Sequence, residues 1–134
     1  IDYQSIYHMS KYLGIDYGLS HIGLATSEAV LATPLSSLHN DQDLFIKLNK
    51  VIKSEGITDI ICGMPEGKLV PVIEKFASDL REFSGLPVTM HPETLSSQEA
   101  ISKLAAVGAS RAKKKNDHAY AACLILEDYL EFQK

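Results

Sequence analysis

Three acidic side chains from distant parts of the chain, Asp16, Glu93 and Asp117, with His118 beside the last, are the residues whose types suit chemistry on a phosphodiester. A hard divalent cation such as Mg²⁺ prefers oxygen ligands, and cleaving a phosphodiester needs positive charge against the attacking and leaving oxygens. Asp16 ends the apolar run Tyr12-Leu13-Gly14-Ile15, with Gly14 and Gly18 nearby to admit a phosphate or another stretch of backbone. Each residue also has a plainer explanation. Asp16 closes a turn before Gly18, Glu93 is a solvated loop acid between Pro92 and Thr94, Asp117 caps the last helix, and His118 is an exposed first-turn residue. Arg111, Lys113, Lys114 and Lys115 lead into Asp117 and read either as a nucleic-acid backbone contact or as a solvated loop.

The elements that must position these residues follow from periodicity. Tyr12 to Asp16 and His21 to Thr26 are short apolar runs separated by Tyr17-Gly18-Leu19-Ser20, which predicts an opening hairpin. A third strand is expected near Val30 to Leu35, ending around Pro34. Leu44, Phe45, Leu48, Val51 and Ile52 recur at helical spacing after the candidate caps Asn40 and Asp41, and the pattern stops at Gly56. Asp59 to Gly63 reads as a buried strand, and Ile73, Phe76, Ala77, Leu80 and Phe83 as a helical stripe ending before Gly85. Leu86 to Met90 supplies another strand. Ser96-Ser97-Gln98-Glu99 has capping-box spacing ahead of a helix through Leu104 that closes at Gly108. A last helix follows Asp117 and carries Ala121, Ala122, Ile125, Leu126 and Tyr129. Three antiparallel strands followed by βα units make an α/β class with a mixed five-stranded sheet flanked by helices. In such sheets sites gather at the carboxyl ends of strands, where Asp16, the loop at Gly63 and Glu93 would converge.

With 134 residues, 46% hydrophobic and 22% charged, the chain fits one globular domain able to bury about two-thirds of its unfolded surface. Cys62 and Cys123 each lie inside an apolar run and read as small core hydrophobes, which argues against a zinc knuckle or a disulfide framework. The net charge of -4 argues against a protein coated in basic surface, so any nucleic-acid contact belongs to one face. No apolar run approaches the ~20 residues of a membrane span, and the first residues lack the pattern of a signal peptide, so the cytoplasm is the expected location. Residues 1–8 precede Met9 and read as the remnant of a cloning junction, leaving 9–134 as the expected domain.

Taken together, Leu13-Gly14-Ile15-Asp16-Tyr17-Gly18-Leu19-Ser20-His21-Ile22-Gly23-Leu24-Ala25, Cys62-Gly63-Met64-Pro65, Glu93-Thr94-Leu95-Ser96-Ser97-Gln98-Glu99-Ala100 and Ala121 through Leu130 strongly resemble the YqgF family, of RuvX type. The pieces occur in the family's order and cover nearly everything from Lys11 onward. The resemblance implies a ribonuclease H-like fold related to the RuvC Holliday junction resolvase. Family members are described as candidate junction resolvases and as nucleases maturing the 5′ end of pre-16S ribosomal RNA. It further implies metal coordination, by Mg²⁺ or Mn²⁺, at Asp16 and Glu93. Aligning the last helix without a gap puts His118, rather than Asp117, at the family's usual aspartate, so either residue fills the third position. Pro92-Glu93-Thr94 stands where the family commonly has Asp-Glu-Arg, and His21 where it has Lys or Arg. The arginine's bidentate phosphate contact is thereby lost.

The expected function is a metal-dependent endonuclease acting on RNA, the precursor of 16S rRNA, in ribosome biogenesis. One alternative is a branched-DNA resolvase, which would need paired active sites in a homodimer rather than a monomer. Another is a catalytically weakened nucleic-acid-binding member. A strand ending Asp-x-Gly also cradles phosphate in actin-like ATPases and sugar kinases, but those close two domains around a nucleotide, and this length suits one.

Overall fold

The computed structural model describes residues 10–28, 31–93 and 117–133. Five strands, β1 (Tyr12–Tyr17), β2 (His21–Ser27), β3 (Thr33–His39), β4 (Asp59–Met64) and β5 (Val88–Pro92), form one sheet in the order β3-β2-β1-β4-β5. β1, β2 and β3 pair antiparallel, whereas β4 and β5 extend the other side of β1 in parallel. Helices α1 (Leu44–Glu55) and α2 (Val70–Ser84) pack on one face, and α3 (Asp117–Phe132) lies across the other. The expected mixed sheet is present. The capping box at Ser96, the helix predicted after it and the basic run Arg111 to Lys115 lie outside the described residues.

Alternation along the strands decides what each face holds. Leu13 and Ile15 of β1, Ile22 and Leu24 of β2, and Ile60 and Cys62 of β4 point to one side. There they meet Leu44, Leu48 and Ile52 of α1 and Ile73, Phe76, Ala77 and Leu80 of α2. The opposite side chains of the same strands are small: Gly14, Gly23, Ala25 and Gly63 leave room for α3, whose Ala122, Ile125, Leu126 and Leu130 complete a second core with Ile61. A Cβ on Gly14 would lie 2.9 Å from the Ala122 carbonyl oxygen, and one on Gly23 would collide with the backbone of His118. The helix is seated against bare backbone, nearer than any strand with side chains at those positions would allow.

Local chemistry explains where the elements depart from expectation. β3 starts near Pro34 instead of ending there. It is an edge strand with a register shift opposite Leu24 and Ala25, so the missing amide leaves no gap in the ladder. β5 runs two residues further than the apolar pattern because its parallel partner continues to Met64, whose carbonyl accepts the Glu93 amide at 3.2 Å. Asn40 does not cap α1. Its amide donates to the Ser20 carbonyl and its Nδ2 to the Gly18 carbonyl, both at 2.9 Å, which ties the end of β3 to the β1–β2 turn. The α1 entrance is organised by Asp41, whose Oδ1 accepts the Asp43 amide and whose Oδ2 pairs with Lys47. Gly56 and Gly85 end α1 and α2 in the left-handed conformation (φ 66 and 72), as glycine permits. Among the described residues no helix is long and apolar enough to cross a membrane.

Gly23→Ala is expected to destabilise the fold by roughly 1–3 kcal/mol, because the contact is with backbone that no rotamer change can move aside. Urea unfolding should show a lower midpoint with an unchanged slope. A midpoint equal to that of the unsubstituted protein would show that α3 does not depend on this approach.

Candidate active site at the carboxyl rim of the sheet

Asp16 is the last α3-facing residue of β1, and its register partner on β2 is Gly23. Over Gly23 passes the first turn of α3, which brings His118 Nδ1 to 2.9 Å from Asp16 Oδ2. With the carboxylate accepting, Nδ1 carries the donated proton. Gly18, in the β1–β2 turn, lies against the same imidazole, and a Cβ there would be 3.2 Å from His118 Cε1. The Asp16 side chain is 18% exposed and that of His118 42%, so the pair sits at a rim rather than in the core.

Glu93 comes from the strand two places along. It follows β5 directly, on the same face as His91, and its Oε1 lies 3.2 Å from where a Cβ on Gly63 would stand. The absent side chain at Gly63 is what opens the space between β1 and β5 to this carboxylate. Burial pushes the Glu93 carboxyl above the usual range, and the negative charge of Asp16 pushes it further in the same direction. Behind Glu93, His91 is buried and its Nε2 meets Asp128 Oδ2 of α3 at 2.7 Å, with Tyr129 and Phe132 edge-on to the ring. This contact ties the end of β5 to the same helix that carries His118.

Of the residues singled out in the sequence, Asp16, Glu93 and His118 are brought to one rim. Asp117 begins α3, while its side chain, like Arg111, Lys113, Lys114 and Lys115, lies outside the described residues. Cys62 and Cys123 are both buried free thiols. Burial, then the charges of Asp16 and Glu93, push the Cys62 thiol up to about 12, and burial with Glu127 pushes Cys123 up to about 11. Two histidines the sequence did not mark as site residues, apart from noting His21 as a departure, also reach this rim. His21 stacks on His118 with ring centroids 6.1 Å apart and meets His39 in a tilted contact at 4.7 Å. Only the β2–β3 register, which pairs His21 with His39, could have revealed them.

The donor set fits a hard cation. Two partly buried carboxylates share the rim, near enough that the charge of Asp16 raises Glu93, and Asp16 keeps acceptor capacity beyond the bond from His118 because a carboxylate offers about four lone-pair sites. Among the described residues no group of three His, Cys, Asp or Glu side chains is arranged to hold a metal ion. Mg²⁺, which is commonly held by one or two carboxylates with water and substrate phosphate, does not need such a cage.

Comparison with known proteins follows the same lines. Residues 10–132 match the model of a family described as RuvX, Holliday junction resolvase. A protein of Chlorobaculum tepidum named "Putative pre-16S rRNA nuclease" is 37% identical, the match covering 90% of this chain and 93% of the relative. One of the same name from Sulfurihydrogenibium is 32% identical over 92% and 91% of the two chains. Among solved structures, Thermus thermophilus RuvC in complex with a Holliday junction substrate superposes with a TM-score of 0.62 at 13% identity, covering 92% and 95% of the chains. The fowlpox virus Holliday junction resolvase does so at 0.57 with 12% identity, covering 92% and 99%. At such identities the likeness is one of fold.

The Glu93 shift has a checkable sign. In metal-free protein, folded Glu93 holds its proton more tightly than the unfolded chain does. Stability contributed by this group is therefore lost as pH rises from the ordinary carboxylate range through its raised value. Carbon-detected NMR titration should show the Glu93 midpoint moving down in Asp16→Asn, since one of its two causes is removed; an unmoved midpoint would mean the two carboxylates do not sense each other.

Proposed function

The chain belongs to the RuvX Holliday junction resolvase family, and on that footing we propose that it is a metal-dependent endonuclease acting at the 5′ end of pre-16S rRNA. The observation that supports the catalytic assignment is that Asp16 and Glu93 stand at the carboxyl ends of the parallel strands β1 and β5, on either side of β4, near enough for the charge of Asp16 to raise Glu93, with Asp16 hydrogen-bonded to His118. The RNA substrate is supported by the names of relatives at 37% and 32% identity that span nearly the whole chain.

Asp16 and Glu93 would hold Mg²⁺ or Mn²⁺, with Asp117 as the third oxygen donor. The cation, when bound, supplies positive charge against the phosphodiester oxygens. His118 orients the Asp16 carboxylate through its 2.9 Å hydrogen bond, which fixes one oxygen and aims the other. Glu93, whose proton affinity burial and Asp16 both raise, is assigned to take up the proton of an attacking water. Arg111, Lys113, Lys114 and Lys115 are assigned from sequence to the nucleic-acid backbone, where lysine and arginine give position without base specificity. A four-way DNA junction is the second reading, which the family description favours.

The purified protein should cut a pre-16S rRNA fragment with Mg²⁺ or Mn²⁺ and stop when the metal is chelated. Asp16→Asn and Glu93→Gln should lower the rate on the order of 10²-fold or more, the scale on which a charge-stabilising group acts, while unfolding cooperatively. Cutting by either variant at the full rate would remove that residue from the site. His118→Ala should cost less than Asp117→Asn if the histidine only orients Asp16, and an assay with the DNA junction in parallel decides between the two substrates.

A further inference from the structure

The imidazoles of His21 and His39 extend the rim past Asp16 toward the sheet edge, and no part of the catalytic assignment uses them. Their backbones are register partners on β2 and β3, their rings lie 4.7 Å apart at 44°, and His21 in turn lies 6.1 Å from His118 and nearly parallel to it at 21°. Register also sets their distance from the carboxylates. Asp16 pairs with Gly23, so His21 is its diagonal neighbour across the β1–β2 pair, where Cβ separations run to ~7–8 Å. His39 is one strand further out and exposed. The rim therefore changes character along its length, from the carboxylates Glu93 and Asp16 to the imidazoles His118, His21 and His39.

We propose that His21 and His39 form a phosphate-binding step, holding the nucleic-acid backbone one phosphate away from the one presented to Asp16 and Glu93. Each imidazole has a ring N–H to donate to an anion whether neutral or protonated, and among the described residues the histidines belong to no group of three side chains arranged to hold a metal ion. His39 stands two strands from Asp16, about 10 Å across the sheet, an offset that suits a neighbouring phosphate and a contact that sets register on the strand. The position gives the contact its role, because backbone contacts fix where a strand lies while the cleavage apparatus acts on one bond. Asn40, next to His39, supports this placement. Its two hydrogen bonds tie the end of β3 to the β1–β2 turn that follows Asp16, which fixes the imidazoles relative to that carboxylate.

This inference rests on the nucleic-acid reading of the site, and the test separates the two. Fluorescence anisotropy with a labelled pre-16S rRNA fragment and with a four-way DNA junction, in chelator so that nothing is cut, gives binding. Cleavage kinetics with Mg²⁺ give kcat and KM separately. His39→Phe, which keeps a flat ring without a donor, should weaken binding roughly 3–10-fold and raise KM by the same factor with kcat nearly unchanged, the scale of a single polar contact. His39→Lys should restore binding, and the double variant His21→Phe/His39→Phe should lose more than either alone. A merely structural role would leave His39→Lys as weak as His39→Phe. Unsubstituted protein that binds but does not cut would overturn the nuclease assignment and leave the histidine step standing on its binding data. Phe variants that bind as tightly as the parent, or a parent that binds neither nucleic acid, would overturn the step.

Discussion

The approach of α3 to the bare backbone of β1 and β2 is the contact on which the rest of this structure depends. At Gly14 the helix presents the Ala122 carbonyl and Leu126, and at Gly23 the backbone of His118, at separations that no side chain on either strand would tolerate. Close packing of this kind is unforgiving, since a protein interior has the density of an organic crystal and little room to yield. Its consequence is functional. The turn of α3 that rests on Gly23 is the one carrying His118, and Gly23 is the register partner of Asp16. A helix held one side chain further away would leave the imidazole out of hydrogen-bonding reach of the carboxylate.

Two cores of different kind support this arrangement. The face against α1 and α2 is built from large aliphatic side chains, among them Leu13, Ile15, Leu24, Leu48, Ile73 and Leu80, all fully buried. It provides the bulk of the apolar burial and holds the strands rigidly with respect to each other. The face against α3 is smaller and interrupted by glycines, and it is there that polar groups gather at the rim. The division follows from strand alternation: one set of positions supplies the core, and the set between them is released for chemistry. Deep in the α3 face the His91–Asp128 pair joins β5 to α3, so Glu93 and His118 are both referred to the same helix.

Electrostatics at the rim work against the ionised form of Glu93. Glu93 is partly buried and faces Asp16, and both circumstances disfavour its ionised form. The Cys62 thiol, raised to about 12, reports the same field from the other side of β4, since after burial itself the causes are Asp16 and Glu93.

Periodicity was enough to read the β1–β2 hairpin, α1 with its stop at Gly56, α2 and β4, because each is specified by a local pattern of apolar residues and a glycine. Asp16, Glu93 and His118 were legible as candidates from residue type and from the match of the separate motifs in order, with no distance among them known. Strand ends at Pro34 and at Met90 were misread because an edge position and a parallel partner decide them, and neither is written in the strand's own residues. The glycines at 14, 23 and 63 are visible in the sequence only as weak points in strands; that they are seats for α3 and for Glu93 depends on which element crosses them. His21 and His39 are eighteen positions apart by number, and their ring contact exists only through the β2–β3 register. The sequence by itself determined the elements and the identity of the carboxylates, since those depend on neighbours along the chain. Tertiary structure alone decided which of them meet, because hydrogen-bond register and helix seating are set by contacts between residues far apart in the chain.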